Sequence, residues 1–156
     1  MRICLLWGKL PSLEKLTIDG MECVGRVGRE FLGLKVGIGE MTSSSSNTII
    51  AFPKLKSLSF YGMRKWAEWE GDGGEGEGGI RGNEDKTNIF NSIIMPSLRY
   101  LKIWNCPKLK ALPDYALQST TLEKLTITDS PILGEQFKAG GKGWPNASHT
   151  LNITII

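Results

Sequence analysis

The side chains that could carry out chemistry in this chain are few and scattered. It has one histidine, His149, and no Ser/His/Asp or Cys/His constellation assembles around it. His149 reads as a solvated strand-edge residue. Three cysteines, Cys4, Cys23 and Cys106, show neither Cys-x-x-Cys nor any other ligand-like spacing. Reduced thiols in a cytoplasmic protein, with no metal site, are therefore expected. Glu14 and Glu123 could become neighbours in a repetitive fold and form a carboxylate pair. Nothing near them implies the burial that would raise one of their pKa values for acid catalysis. The run Gly71-Asp72-Gly73-Gly74-Glu75-Gly76-Glu77-Gly78-Gly79 invites a phosphate-loop reading. Its acids would repel phosphate, no Gly-Lys-Ser/Thr follows, and no strand leads into a helix there. No catalytic residue, cofactor or metal is expected, and the chain is read as a non-enzyme.

The balance of 19 basic and 16 acidic residues leaves a net charge of only +3, too mild to point to nucleic acid. No apolar run approaches the length of a membrane span. Met1 to Trp7 is too short in its apolar part for a secretory leader and lacks a small-residue cleavage site. It reads as a truncated preceding repeat or an odd start. Two sequons, Asn146-Ala147-Ser148 and Asn152-Ile153-Thr154, would matter only in a secreted chain. Asn152 falls in an expected strand, so chance explains it better.

The elements that must position any functional group come from the leucines. Met95 to Pro113 holds Leu98, Leu101, Ile103, Cys106, Leu109 and Leu112, the spacing L-x-x-L-x-L-x-x-C-x-x-L. Leu101 and Ile103 are two apart, so a short strand turns both to one face. Cys106 closes the bend after the strand, where a small side chain can bond to turning backbone. Leu109 and Leu112 fit a helical or 3-10 return. The pattern recurs at 10–18, 52–60 and 121–127, and in degraded form at 148–153. From Leu16 through Leu58, Leu101 and Leu125 to Leu151 the intervals are 42, 43, 24 and 26 residues. The two long intervals imply insertions on the return side.

One such unit cannot bury its own apolar face, so the units must stack. The expectation is a single α/β domain over 1–156, a leucine-rich-repeat solenoid. It has short parallel strands on the concave face and irregular or short helical returns. Strands are expected near 15–19, 57–61, 100–104, 124–128 and 150–154. Residues 35–48 read as a loop, and 70–92 as a flexible, acidic, Gly-rich insertion. Trp66 and Trp69, three apart, are expected to cap the core at the edge of a return.

Stacking in register would align the residues between the buried positions on the other face of the sheet. There Tyr61, Tyr100, Lys102 and Trp104 should cluster, with Lys15 and Lys124 alongside. Exposed aromatics beside a cation have the composition of protein-binding hot spots. These six residues are the candidate docking site.

Three segments carry a resemblance to a known family. LPSLEKLTIDGMECVGRVGREFLG (10–33), AFPKLKSLSFYGMRKWAEWE (51–70) and MPSLRYLKIWNCPKLKALPDYALQSTTLEKLTITDSPIL (95–133) resemble the C-terminal leucine-rich-repeat region of plant disease-resistance proteins. These are the proteins of the coiled-coil, nucleotide-binding, leucine-rich-repeat type. The tail around Trp144-Pro145 is similar to the family's last repeat but more polar, at Asn146, Ser148 and Thr150. The resemblance implies recognition of a pathogen effector, a guarded host protein or the receptor's own nucleotide-binding module, within innate immunity. The chain departs from the family in lacking that module, a Walker A motif and a coiled-coil signalling domain, so ATP binding does not carry over. It reads as a fragment of a longer receptor or a truncated product. The alternatives are a substrate-recruiting repeat of a ubiquitin-ligase adaptor and a remnant with no activity of its own.

Overall fold

Alternation of Leu with Ile or Phe, two residues apart, makes each repeat core a short strand with one apolar face. The computed structural model describes residues 10–32, 50–69, 93–117, 121–138 and 151–156. In chain order the strands are β1 (Lys15–Asp19), β2 (Arg26–Val27), β3 (Ile50–Ala51), β4 (Ser57–Tyr61), β5 (Glu68–Trp69), β6 (Ile93–Ile94), β7 (Tyr100–Trp104), β8 (Lys124–Thr128) and β9 (Asn152–Ile155). Among the described residues there are also two short helices, α1 (Asp114–Leu117) and α2 (Pro131–Gln136), and a 3-10 turn at Arg29–Leu32. The loop 35–48, the insertion 70–92, Cys4, His149 and Thr150 lie outside the described residues. No described helix is long and apolar enough to cross a membrane.

The main sheet is wholly parallel, in the order β1-β4-β7-β8-β9. Its register joins the expected equivalent positions in the first four strands, Leu16, Leu58, Leu101 and Leu125 in one row and Ile18, Phe60, Ile103 and Ile127 in the next. The last strand is shifted by two residues from the expectation, so that Ile153, not Leu151, continues the first row and Ile155 the second. Within the three inner strands of the sheet both rows are buried. The other side of each repeat adds Leu55, Leu98 and Leu122 before the strand, and Met63 and Cys106 after it, all buried. Backbone ladders link the units at both strand ends. At the entry, Lys56, Arg99, Glu123 and Asn152 each donate an N–H to the carbonyl of Glu14, Lys56, Arg99 and Glu123 respectively, at 2.7–3.0 Å. At the exit, Gly20, Gly62, Asn105 and Asp129 donate to Tyr61, Trp104, Thr128 and Ile156, at 3.0–3.1 Å.

Those four exit residues share a left-handed backbone, with φ of 67°, 63°, 53° and 48°. Glycine adopts it freely, and Asn and Asp tolerate it best among the rest. The exits thus turn the chain out of the sheet identically each time. Phe52 and Met95 are also left-handed, at φ 51° in both, although each precedes a proline. Both side chains are fully buried, and packing holds a backbone that neither residue prefers.

The return side differs from the expectation in two ways. Leu109 and Leu112 are not helical: Leu109 closes a turn by donating to the Cys106 carbonyl at 3.2 Å, and α1 begins only after Pro113. Elsewhere the returns make their own small parallel pairings, β2 with β5 and β3 with β6. Trp66 and Trp69 do not cap an edge. Trp66 is fully buried, 4.6 Å from the Phe60 ring centroid and 5.4 Å from that of Trp69. Phe31 packs against Phe52 at 5.1 Å and Phe60 at 6.0 Å. The long first repeats are therefore filled by an aromatic core where shorter repeats need only leucine.

Candidate interaction face

The opposite face of the main sheet is built by the alternate residues of each strand. Three rows cross it. Lys15, Ser57, Tyr100, Lys124 and Asn152 form the first, Thr17, Ser59, Lys102, Thr126 and Thr154 the second, and Asp19, Tyr61, Trp104 and Thr128 the third. In β7 the alternation is complete: Leu101 and Ile103 are buried, and Tyr100, Lys102 and Trp104 are exposed.

The register brings four of the six expected residues together. Tyr61 and Trp104 are lateral partners and meet edge to face, with centroids 5.5 Å apart and planes at 75°. The Lys102 ammonium lies 5.2 Å from the Tyr61 ring centroid, a cation–π contact. Ser59, the register partner of Lys102, is only 7% exposed although it lies on the outer face. Tyr100 stands two residues before Lys102 on the same face. Lys124 is the lateral neighbour of Tyr100. Lys15 is not part of the cluster: Ser57 separates it from Tyr100, which puts the two about 10 Å apart at ordinary strand spacing.

Two acids hold Trp104 and Tyr100 in place: Asp129, which the sequence reading did not single out, and Glu123, which it considered only as a partner for Glu14. The Trp104 indole N–H donates to Asp129 Oδ2 at 3.1 Å, and the Tyr100 hydroxyl donates to Glu123 Oε2 at 3.3 Å. Glu123 also pairs with Arg99 at 3.8 Å. The signal for both was positional. Glu123 is the residue before a strand, and Asp129 is the exit residue equivalent to Asn105, so each adjoins an aromatic of the preceding repeat. With these bonds made, Tyr100 is still 46% exposed and Trp104 42%. Their polar ends are fixed while part of each ring surface stays exposed.

Beneath Trp104 the exit bends lock together. Cys106 donates its N–H to Ser130 Oγ at 3.1 Å and its thiol to the Trp104 carbonyl at 3.5 Å. Ser130 Oγ donates in turn to the Thr128 carbonyl at 3.0 Å. Burial pushes the Cys106 thiol above its ordinary value, partly offset by a backbone hydrogen bond with Met63. A thiol so held is a packing group, not a nucleophile.

The structure does not bring Glu14 and Glu123 together. They stand at the entries of β1 and β8, three strand spacings or about 14 Å apart. Glu14 is occupied by Lys56 at 3.3 Å. Among the described residues no three His, Cys, Asp or Glu side chains are placed to hold a metal ion.

Comparison with known proteins gives similarity along most of the chain. A disease resistance protein of Arabidopsis thaliana, At3g14460, is 33% identical over 125 residues, 80% of this chain and 7% of that protein. Two others from the same plant, RF45 and RDL5, are each 31% identical over 151 residues, 96% of this chain and 12% of theirs. The chain is thus related to plant disease resistance proteins and spans only a small share of their length. No protein-family model and no solved structure matches it.

Proposed function

We infer, with that kinship as premise, that the chain is a leucine-rich-repeat solenoid module of a plant innate-immune receptor and acts by binding protein. On this reading the five parallel strands form the concave face, and the small pairings and short helices are the convex returns. Partners are a pathogen effector, a guarded host protein, or the nucleotide-binding module of the receptor itself. No catalysis and no cofactor are involved. The module works in the cytoplasm, where Cys106 remains a thiol.

The observation that carries this reading is the cluster Tyr61, Lys102 and Trp104 with Tyr100 beside it. Three aromatic side chains and a cation stand together on an open sheet face, with the polar ends of Trp104 and Tyr100 tethered by Asp129 and Glu123. Aromatic side chains carry much of the binding energy at protein interfaces, and groups already ordered lose less entropy on docking.

The test is selection of binders from a displayed library of plant and pathogen protein fragments against the purified chain. Tyr100→Ala together with Trp104→Ala should weaken the selected binders by about ten- to a hundredfold, as expected for hot-spot truncations. The circular dichroism spectrum and melting temperature should stay near those of the parent, because both side chains lie outside the buried core. Binders that are indifferent to both substitutions would refute the docking face.

A further inference from the structure

The acids and the cations of the open face are in different states. Glu14 is taken up by Lys56, Glu123 by Arg99 and the Tyr100 hydroxyl, and Asp129 by the Trp104 indole. Lys15, Lys102 and Lys124, by contrast, form no ion pair among the described residues. Among the described residues the one acid projecting from the strands of the face itself is Asp19, on the edge strand β1 beside Tyr61. The centre of the face therefore offers unpaired ammonium groups next to aromatic rings.

Lys102 is the best placed of the three. Its contact with the Tyr61 ring uses one side of the ammonium and holds it close to the Tyr61–Trp104 pair. The remaining N–H groups are available to an incoming acceptor. Lys124 provides a second cation across Tyr100. We propose that the protein partner docks through an acidic segment: one carboxylate on Lys102, an apolar side chain beside it on Tyr61 and Trp104, and a second carboxylate toward Lys124. This rests on reading the face as a docking site and names the chemistry of what it takes.

A nucleic acid fits the same lysines less well. Its backbone places a charge at every step, more than three lysines can meet in a chain whose net charge is only +3. Separated carboxylates with an apolar residue between them match the alternation of cation and ring.

The experiment is selection from a random displayed peptide library on the intact chain, with the composition of the winners read by sequencing. Asp and Glu should be enriched next to Leu, Ile or an aromatic. Synthetic versions of the winners should bind Lys102→Glu/Lys124→Glu about tenfold more weakly, and should also weaken at high salt. Selection on that variant should shift the winners toward Lys and Arg. Lys102→Gln provides a milder variant and should weaken binding in the same direction. Winners lacking acidic enrichment, yet lost with Tyr100→Ala and Trp104→Ala, overturn the acidic-segment assignment and leave the docking face standing. Winners insensitive to every one of these substitutions overturn the docking face and this assignment with it.

Discussion

Replacing Gly62 by alanine isolates the left-handed strand exit as a determinant of stability. Gly62 sits at φ 63° directly after Tyr61 and donates its N–H to the Trp104 carbonyl at 3.0 Å. A Cβ added there would meet nothing closer than Asp19 Oδ1, at 3.7 Å, an ordinary contact. Steric clash with neighbours is therefore excluded and the cost is conformational. A left-handed L-residue costs about 1–2 kcal/mol, offset by about 0.4–1 kcal/mol from the stiffer unfolded chain. Gly25→Ala is the matched control. Its Cβ would lie 3.8 Å from the Lys65 carbonyl, and its φ is outside the left-handed range, so it should gain the unfolded-state term alone. The two variants should differ by about 1–2 kcal/mol, or about 2–8 °C in melting temperature for a domain of this size. Asn105→Gly, at a position already left-handed at φ 53°, should be neutral or stabilising. Urea unfolding followed by tryptophan fluorescence reads all three, since Trp66 and Trp69 are buried and report on the core. Gly62→Ala as stable as Gly25→Ala would refute the account of the exits.

Two further perturbations probe the bend beneath the face. Ser130→Ala removes the acceptor of the Cys106 N–H in a buried place, and should lower stability by about 1–3 kcal/mol with an unchanged urea m-value. Cys106 should make stability pH-dependent. Its folded value is raised by burial, so its contribution is complete at pH below the unfolded thiol's value, near 9.0, and is lost as pH climbs through the folded value. The urea midpoint of the parent should thus fall more steeply on the alkaline side than that of Cys106→Ala. Equal slopes would remove the thiol from the account.

Much of the sheet was legible in the spacing of apolar residues, because a period of two within strands and a recurrent interval between them leave few arrangements. Leu101 and Ile103 had to share a face, and Tyr100, Lys102 and Trp104 the other. The returns were less legible. Leu109 and Leu112 have helical spacing, yet the turn that closes at Cys106 and the proline at 113 place the helix beyond them. Trp66 and Trp69 suggested an edge because their three-residue spacing fits the rim of a return as well as its interior. Only packing against Phe60 and Phe31 distinguishes the two. Of the candidate face, the clustering of Tyr61 with Trp104 followed from register. The separation of Lys15 and the tethers at Glu123 and Asp129 depended on distances that one-dimensional spacing does not contain.

The side chains that could share a face and the glycine, asparagine and aspartate at the strand exits are written in the order of residues, since each depends on local backbone preference. Which lysine is held over which ring, which acids are already engaged, and which cations remain unpaired were decided by the tertiary structure. Those are properties of contacts between repeats 24 to 43 residues apart in the chain. They arise only when the strands stack about 4.8 Å apart and bring charges and rings within reach of one another.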